Sequence, residues 1–168
     1  MVGRRGNGLI AAALALGIAA CSAQPAADTG TAPGAPAAIP ATHPVSGLRV
    51  IPVTLTTGKG QHRIRAELAE TREAQVKGLM FRTDLGPDEG MIFPSVPQTA
   101  RSFWMKNTPL PLDIIFIGPD RRVLNIAANT EPYSEASVYS DGTTSAVLEL
   151  RGGRAAELGL KPGDAVAW

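Results

Sequence analysis

Short runs of apolar residues, some alternating with polar ones and some continuous, dominate the chain after residue 47. Residues 48–56 are rich in β-branched side chains, and residues 62–69 alternate between polar and apolar. The glycines at 58 and 60 lie between these runs, so the pattern predicts a β-hairpin. Pro52 indicates that the first strand lies at a sheet edge or carries a bulge. The unbroken apolar run 114–117 predicts a strand buried on both faces.

Local signals complete the prediction of secondary structure. Thr71 is a good N-cap for a short helix over residues 72–77, and Gly78 is suited to end it. A second short helix is predicted over residues 154–158. Further short strands are predicted at 91–93, 102–105, 123–127, 145–150 and 165–168, and residues 129–142 are predicted to be a loop. About seven to nine short strands and one or two short helices predict a mainly β, single compact domain, either a sandwich or barrel-like.

The first 20 residues have the features of a secretory signal peptide. Arg4 and Arg5 give a basic start, and residues 9–20 contain no polar side chain before Cys21. This apolar core is shorter than the roughly 20 residues that a membrane-spanning helix needs. We therefore predict a signal peptide over residues 1–20.

The composition changes after Cys21. Residues 22–44 consist almost wholly of Ala, Pro, Thr and Gly, and they cannot bury enough apolar surface to offset the entropy lost on ordering. We predict an Ala/Pro-rich tether over residues 21–47 and a β-rich domain over residues 48–168. His43 lies in the tether and is expected to be solvated.

Charge and cysteine content exclude several functions. The chain has 16 Lys+Arg and 15 Asp+Glu. Loss of Arg4 and Arg5 with the signal peptide would leave 14 basic side chains against 15 acidic ones, a net charge near −1. With no basic block, nucleic-acid binding is not expected. A single cysteine allows no internal disulfide, so burial of apolar surface must stabilise the domain, which we expect to be a monomer.

The end of the leader, Ile18-Ala19-Ala20-Cys21, resembles the lipobox of bacterial lipoproteins. The resemblance implies that the Cys21 thiol receives a diacylglyceryl group and becomes the mature N-terminus. The expected location is then the periplasm-facing side of the bacterial cell envelope, with membrane attachment through Cys21. An ordinary secretory cleavage site and an uncleaved anchor are the alternatives.

Several short motifs follow one another between residue 78 and residue 164. They are Gly78-Leu79-Met80-Phe81-Arg82, Gly90-Met91-Ile92-Phe93, Trp104-Met105-Lys106-Asn107-Thr108, Pro111-Leu112-Asp113, Val147-Leu148-Glu149 and Gly163-Asp164. The order and spacing are similar to those of the domain of unknown function 192 family of bacteria and archaea, over roughly residues 50–168. The resemblance implies a compact jelly-roll-like domain that is often exported, and it implies no function. Many members carry a cysteine where this chain has Glu131-Pro132-Tyr133, so a thiol-based role is excluded here.

Asp113 and Glu149 are carboxylates embedded in apolar strands, where an unpaired charge is costly. Each therefore needs a cation or several hydrogen-bond donors. The available cations are Lys106, Arg82 and Arg101, and the available hydrogen-bonding side chains are Asn107 and Thr108. One interpretation is an internal salt-bridge network that fixes strand register.

Two functional interpretations of these residues remain open. In the first, a ligand pocket binds a small polar or anionic molecule beside the Trp104 ring. Strand alternation places Trp104 and Lys106 on one partly exposed face, with Phe103 and Met105 in the core. The predicted ligand-binding residues are Arg82, Trp104, Lys106, Asn107, Asp113 and Glu149. In the second, Asp113 and Glu149 act as the acid and base of an envelope hydrolase.

A third interpretation is a Cu(I) site built from thioethers. Met80, Met91 and Met105 all lie in the motif region, and His62 is the sole histidine of the predicted domain. Soft sulfur ligands suit Cu(I), although methionine more often fills gaps in a core. We predict no cofactor and assign no catalytic residue. The sequence favours a non-enzymatic ligand- or partner-binding accessory module, with the hydrolase and the copper protein as alternatives.

Overall fold

The computed structural model describes residues 41–168. The elements follow in the order β1 (Val50–Thr57), β2 (Gly60–Leu68), α1 (Arg72–Lys77), β3 (Glu89–Phe103), β4 (Leu112–Ile117), β5 (Val123–Thr130), β6 (Val138–Arg151), α2 (Arg154–Leu158) and β7 (Ala165–Ala167). The strands form one sheet in the order β5-β4-β6-β3-β2-β1-β7. Within residues 41–168 no helix has the length and hydrophobicity needed to cross a membrane.

The sheet curls until its two edge strands meet at one end. Ala165 of β7 forms an isolated bridge with Arg122, just before β5. The amide of Val166 donates to the carbonyl of Arg121 over 2.9 Å, and the amide of Val123 donates to the carbonyl of Asp164 over 2.9 Å. A single curled sheet, rather than two packed sheets, is therefore the form that the predicted β-rich domain takes. The prediction of a mainly β, barrel-like fold with two short helices is confirmed.

Apolar side chains cover both faces of this sheet and form two cores. All seven strands and α2 contribute to an inner core, which includes Val53, Leu55, Ile64, Ile92, Ile115, Ile117, Leu148, Leu150 and Val166. A second core lies on the outer face and includes Leu79, Leu85, Met91, Phe93, Met105, Leu112, Ile114, Phe116 and Val147. Every residue of β4 is buried, because its alternate side chains enter these two cores. The prediction for residues 114–117 is confirmed.

The N-terminal hairpin agrees with the prediction. Val53 of β1 pairs with Ile64 of β2, and both side chains are fully buried. β7 pairs with β1 only at residues 54–56, so Pro52 lies where β1 has no neighbour on that side. Because no partner strand is present there, the missing N–H of Pro52 breaks no ladder hydrogen bond.

Helix α1 also has its predicted boundaries. The Thr71 hydroxyl accepts a hydrogen bond from the Ala74 amide over 3.1 Å, which caps the first turn. Gly78 ends the helix with a φ of 49°, a conformation that a side chain makes costly, and its amide donates to the Ala74 carbonyl. These two residues determine where the helix begins and ends.

Strands β3 and β6 are longer than predicted. Residues 91–93 and 102–105 were expected to form separate strands because prolines lie between them, but β3 continues from Glu89 to Phe103. The ladder with β6 is irregular between Pro94 and Thr99, where the prolines need not donate hydrogen bonds. β6 begins at Val138, so the second part of the predicted loop over residues 129–142 is also strand.

Residues 41–49, most of which the composition assigns to the tether, form a turn against the domain. Thr42 bridges to Arg49, and the His43 amide donates to the Leu48 carbonyl over 2.8 Å. The His43 side chain is only 15% exposed and contacts Glu67. The expectation that His43 is solvated is therefore wrong, because this turn places the imidazole against the buried carboxylate of Glu67.

Candidate functional site

Asp113 is held entirely by backbone amides. Its side chain is fully buried on the inner face, where Oδ1 accepts from the amides of Asn129 (2.8 Å) and Gly153 (3.0 Å). Its Oδ2 accepts from the Ala155 amide over 2.7 Å, in the first turn of α2. Several donors, rather than Lys106 or an arginine, therefore compensate its burial. Asp113 fastens the start of α2 to the sheet and faces none of the other predicted ligand-binding residues.

Replacing Asp113 with asparagine should lower the free energy of unfolding by about 1 to 3 kcal/mol, because the new amide group would face a backbone donor. Urea unfolding at constant pH measures the change. The matched control is Asp141→Asn, at an exposed aspartate of β6, which should stay within about 0.5 kcal/mol of wild type. Equal stability of the two variants would contradict the structural role of Asp113.

Glu149 points to the other face of the same sheet. In the ladder between β4 and β6, Ile114 pairs with Glu149 while Asp113 pairs with Leu150. Since directly paired residues share a face, Asp113 and Glu149 lie on opposite faces. The proposed acid–base pair of a hydrolase is therefore not formed, and the sheet itself separates the two carboxyl groups.

Glu149 lies at the wall of a cavity between α1 and the end of β3. The cavity has a volume of about 180 Å³ and is lined mainly by Gln75, Lys77, Gly78, Met80, Arg101, Phe103, Trp104, Thr108 and Glu149. We call it the carboxyl cavity. Glu149 is only 5% exposed, and within residues 41–168 its carboxyl group forms neither a hydrogen bond nor an ion pair. Burial raises the pKa of Glu149 to about 8, so the carboxyl group is protonated at neutral pH.

Arg101 brings a positive charge to the same cavity. Its Nη2 donates to Gln75 Oε1 over 3.1 Å, and its guanidinium lies 5.5 Å from the centre of the Phe103 ring. Gln75 is itself fixed, since its Nε2 donates to the carbonyls of Ala69 and Pro94. Within the described part of the chain Arg101 forms no ion pair with a carboxylate. Burial lowers its pKa from the ordinary arginine value, which indicates partial desolvation of the guanidinium.

Trp104 forms the outer rim of the carboxyl cavity. It is 45% exposed, whereas Met105 is 2% exposed and Phe103 packs against the outer core, as the alternation predicted. Lys106 does not enter the cavity. Its ammonium lies 5.0 Å from the centre of the Trp104 ring and 3.8 Å from Glu135, so it covers the solvent side of the indole.

Arg82 does not line the carboxyl cavity but forms an ion pair with Glu67. Its Nη1 donates to Oε1 of Glu67 over 2.6 Å, and its side chain is 12% exposed against 2% for Glu67. His43 Nδ1 lies 3.6 Å from the same carboxylate oxygen. Arg82 therefore pairs with neither Asp113 nor Glu149, and sequence reasoning missed its true partner. Asn107 contributes its carbonyl to the Phe81 amide and places its Nδ2 3.9 Å from Met80 Sδ.

The sulfur atoms and His62 do not converge. His62 lies on the inner-face side of β2, where its Nε2 is 3.2 Å from the Thr57 hydroxyl. Met91 and Met105 are buried in the outer core, and Met105 Sδ accepts from Thr130. Met80 alone reaches the carboxyl cavity. The sheet thus separates His62 from Met91 and Met105, and residues 41–168 contain no cluster of three or more His, Cys, Asp or Glu side chains suited to a metal.

Sequence reasoning therefore located part of the site. Of the predicted ligand-binding residues, the structure brings Trp104 and Glu149 together at one cavity, and it places Arg82, Lys106, Asn107 and Asp113 elsewhere. It adds Arg101 and Gln75. Arg101 was one of the cations that the sequence offered to Asp113 and Glu149, but nothing in the sequence indicates that Gln75 of α1 would hold it.

These features define a class of small, mainly β domain whose curled sheet carries a buried carboxyl group beneath a short helix. The chain belongs to the DUF192 family (domain of unknown function 192, "Uncharacterized ACR"), whose model matches residues 53–168. The family assignment made from the motifs is confirmed. No curated protein sequence matches the chain.

Two solved structures are similar to this chain. A protein of unknown function from Novosphingobium aromaticivorans is 60% identical, with a TM-score of 0.77 over 79% of this chain and 94% of the other. A protein from Sinorhizobium meliloti, described as "a putative transcription regulator", is 38% identical, with a TM-score of 0.69 over 71% of this chain and 94% of the other. The fold is thus shared with experimentally determined relatives.

Proposed function

We propose that this protein is a lipid-anchored envelope module that binds a small organic anion, such as a carboxylate, in the carboxyl cavity. The observation that carries the proposal is the juxtaposition of Arg101, which lacks a carboxylate partner within residues 41–168, and the unpaired carboxyl group of Glu149 at one cavity. Lys77 adds a second cation at the cavity wall. Such a set of groups recognises one negative charge through charge-assisted hydrogen bonds.

The protonation state of Glu149 supports an anionic ligand. With a pKa of about 8, the carboxyl group is neutral at pH 7 and can donate a hydrogen bond to a carboxylate oxygen. Arg101 supplies parallel N–H donors whose planar geometry fits the same group. An ionised Glu149 would repel the ligand. The cavity therefore suits an anion below pH 8 and rejects it above.

The size of the cavity limits what enters it. A volume of about 180 Å³ is smaller than the roughly 300 to 1,000 Å³ of typical ligand pockets. Only a compact group such as a carboxylate, with a few neighbouring atoms, fits. A hydrolase is less well supported, because Glu149 is the one carboxyl group of residues 41–168 that lines this cavity.

Acetate tests the anion site directly. In NMR titrations at pH 6.5 and constant ionic strength, acetate should shift the Trp104 indole and the Arg101 resonances, whereas glycerol and methylammonium should not. Arg101→Gln should abolish the response. The control Arg63→Gln, at an exposed arginine of β2 that does not line the cavity, should leave it unchanged.

The pH dependence adds a second criterion. The wild-type affinity for acetate should fall as the pH rises through 8, because Glu149 then becomes negatively charged. Glu149→Gln keeps a neutral donor at every pH and should bind acetate equally at pH 6.5 and 9. Binding of glycerol or methylammonium in preference to acetate would overturn the proposed ligand class.

The anchor is proposed from the sequence, since Cys21 lies outside the described residues. Cys21→Ala should move the protein from the membrane fraction to the soluble fraction, because acyl chains contribute about 0.8 kcal/mol per buried CH₂ and several are needed for stable attachment. Ser22→Ala is the matched control and should stay with membranes. Equal retention of both variants would refute lipidation at Cys21.

A further inference from the structure

A second cavity adjoins the carboxyl cavity on the other side of the C-terminus of α1. It has a volume of about 380 Å³. Its apolar wall is formed by Val45, Leu48, Ala74, Met80 and Phe81. We call it the apolar cavity. It lies between α1 and the turn formed by residues 41–49.

Three of the polar side chains that line this cavity already form hydrogen bonds, and the two others, Glu73 and Lys77, are exposed to solvent. The Ser46 hydroxyl accepts from the Leu48 amide over 3.2 Å, and the Thr71 hydroxyl accepts from the Ala74 amide over 3.1 Å. Arg82 is bound to Glu67. With these groups occupied, the wall offers a ligand mainly apolar contact, which favours an aliphatic chain over a peptide with its own hydrogen-bonding backbone.

Three residues line both cavities. They are Lys77, Gly78 and Met80. Of these, Met80 has a long and adaptable side chain. Lys77 is exposed and lines both cavities, so it adds a positive charge to their shared wall. The two cavities therefore share part of their walls, with Arg101 lining the smaller one and mainly apolar side chains lining the larger one.

The apolar cavity also leaves hydrophobic surface in water. Val45 and Phe81 are each 70% exposed. Phe81 has a φ of 64°, a left-handed conformation that is uncommon for a bulky residue, and its amide is held by the Asn107 carbonyl over 2.8 Å. The chain thus maintains a strained backbone that presents an aromatic ring beside this cavity.

We propose that the ligand is an aliphatic carboxylate whose head group lies at Arg101 and Glu149 and whose chain lies in the apolar cavity against Met80 and Phe81. This inference rests on the proposed anion site and names its substrate class. The head group fits the smaller cavity, and the larger one accepts the methylene chain. Each buried methylene contributes to affinity, since burial of one CH₂ is worth about fourfold in the binding constant.

Straight-chain carboxylates of increasing length test the inference. Acetate, butanoate, hexanoate and octanoate are titrated into wild-type protein at pH 6.5, and affinity is measured by calorimetry. The affinity should rise by about two- to fourfold for each added methylene. Octanol and octyltrimethylammonium, which share the chain and lack the carboxylate, should bind at least tenfold more weakly than octanoate.

Variants of the apolar wall separate the tail from the head group. Phe81→Gly tolerates the left-handed backbone, and Val45→Ser removes a methyl pair from the wall. Both should bind acetate as wild type does and lose most of the gain with chain length. Val96→Ser, at an 89% exposed valine of β3, is the matched control and should retain that gain. Circular dichroism confirms that each variant is folded.

The outcomes distinguish the two proposals. If acetate binds but affinity does not rise with chain length, the aliphatic ligand is overturned and the anion site is retained. The same conclusion follows if Phe81→Gly and Val45→Ser keep the full rise in affinity with chain length. A lack of binding by both acetate and octanoate would overturn the anion site itself, and the aliphatic ligand with it. Both proposals are supported if affinity rises with chain length in wild type and in Val96→Ser, and if Phe81→Gly and Val45→Ser lose that rise.

Discussion

Replacing Glu149 with glutamine should change the free energy of unfolding by under about 1 kcal/mol at pH 5 and raise it by roughly 3 to 5 kcal/mol at pH 9. In the folded protein burial raises the pKa of Glu149 from 4.5 to about 8. Between these values the unfolded chain has released a proton that the folded chain retains. The free energy of unfolding that depends on Glu149 is therefore greatest below pH 4.5 and falls progressively as the pH rises to 8.

Urea unfolding between pH 5 and pH 9 measures this difference. Wild type should lose stability across the interval relative to Glu149→Gln, and the two curves should meet at the acid end. Glu131→Gln, at an exposed glutamate after β5, is the matched control and should run parallel to wild type. Parallel curves for Glu149→Gln and wild type would show that Glu149 is not held protonated by burial.

Arg82→Gln should lower the free energy of unfolding by about 3 to 5 kcal/mol, because it leaves the carboxylate of Glu67 buried without its cation. Glu67 is 2% exposed, and its Oε2 has no hydrogen-bond partner within residues 41–168. The contact of Oε1 with Arg82 is therefore the main compensation for this charge. The neighbouring His43 lies farther away, at 3.6 Å.

A double variant distinguishes loss of the ion pair from loss of packing. Glu67→Gln combined with Arg82→Gln removes both charges and should recover most of the stability that Arg82→Gln loses. Arg63→Gln on β2 controls for the removal of an arginine and should change stability by less than about 0.5 kcal/mol. A loss of under about 1 kcal/mol in Arg82→Gln would contradict this expectation, because so small a loss is typical of exposed ion pairs.

Local signals explain why much of the fold was predictable. Thr71 and Gly78 determine the ends of α1 through their own conformations, so the helix could be located without knowing the sheet. β3 was interrupted in the prediction because prolines at 94 and 97 normally end a strand. Its continuation depends on an irregular ladder with β6, which is remote in sequence. Such pairing is a property of the whole fold rather than of a short segment.

The candidate site was less predictable because it depends on strand register. Asp113 and Glu149 share an apolar setting in sequence, and a shift of one residue in the β4–β6 ladder would have placed them on the same face. Glu67 lies at a polar position of an alternating strand, which normally indicates exposure. At Glu67 that face is buried because Arg82, after α1, and His43, in the turn of residues 41–49, lie against the carboxylate.

The meeting of the two sheet edges at Arg122 and Ala165 has a consequence for how copies of this protein meet one another. An open edge strand exposes unpaired amides and carbonyls, which can recruit a strand from another molecule and begin aggregation. Here the amides of Val123 and Val166 donate across the seam within the chain. Backbone groups at the start of β5 and at Val166 of β7 are thereby occupied, so the curl protects this part of both edges against strand exchange with a neighbouring copy.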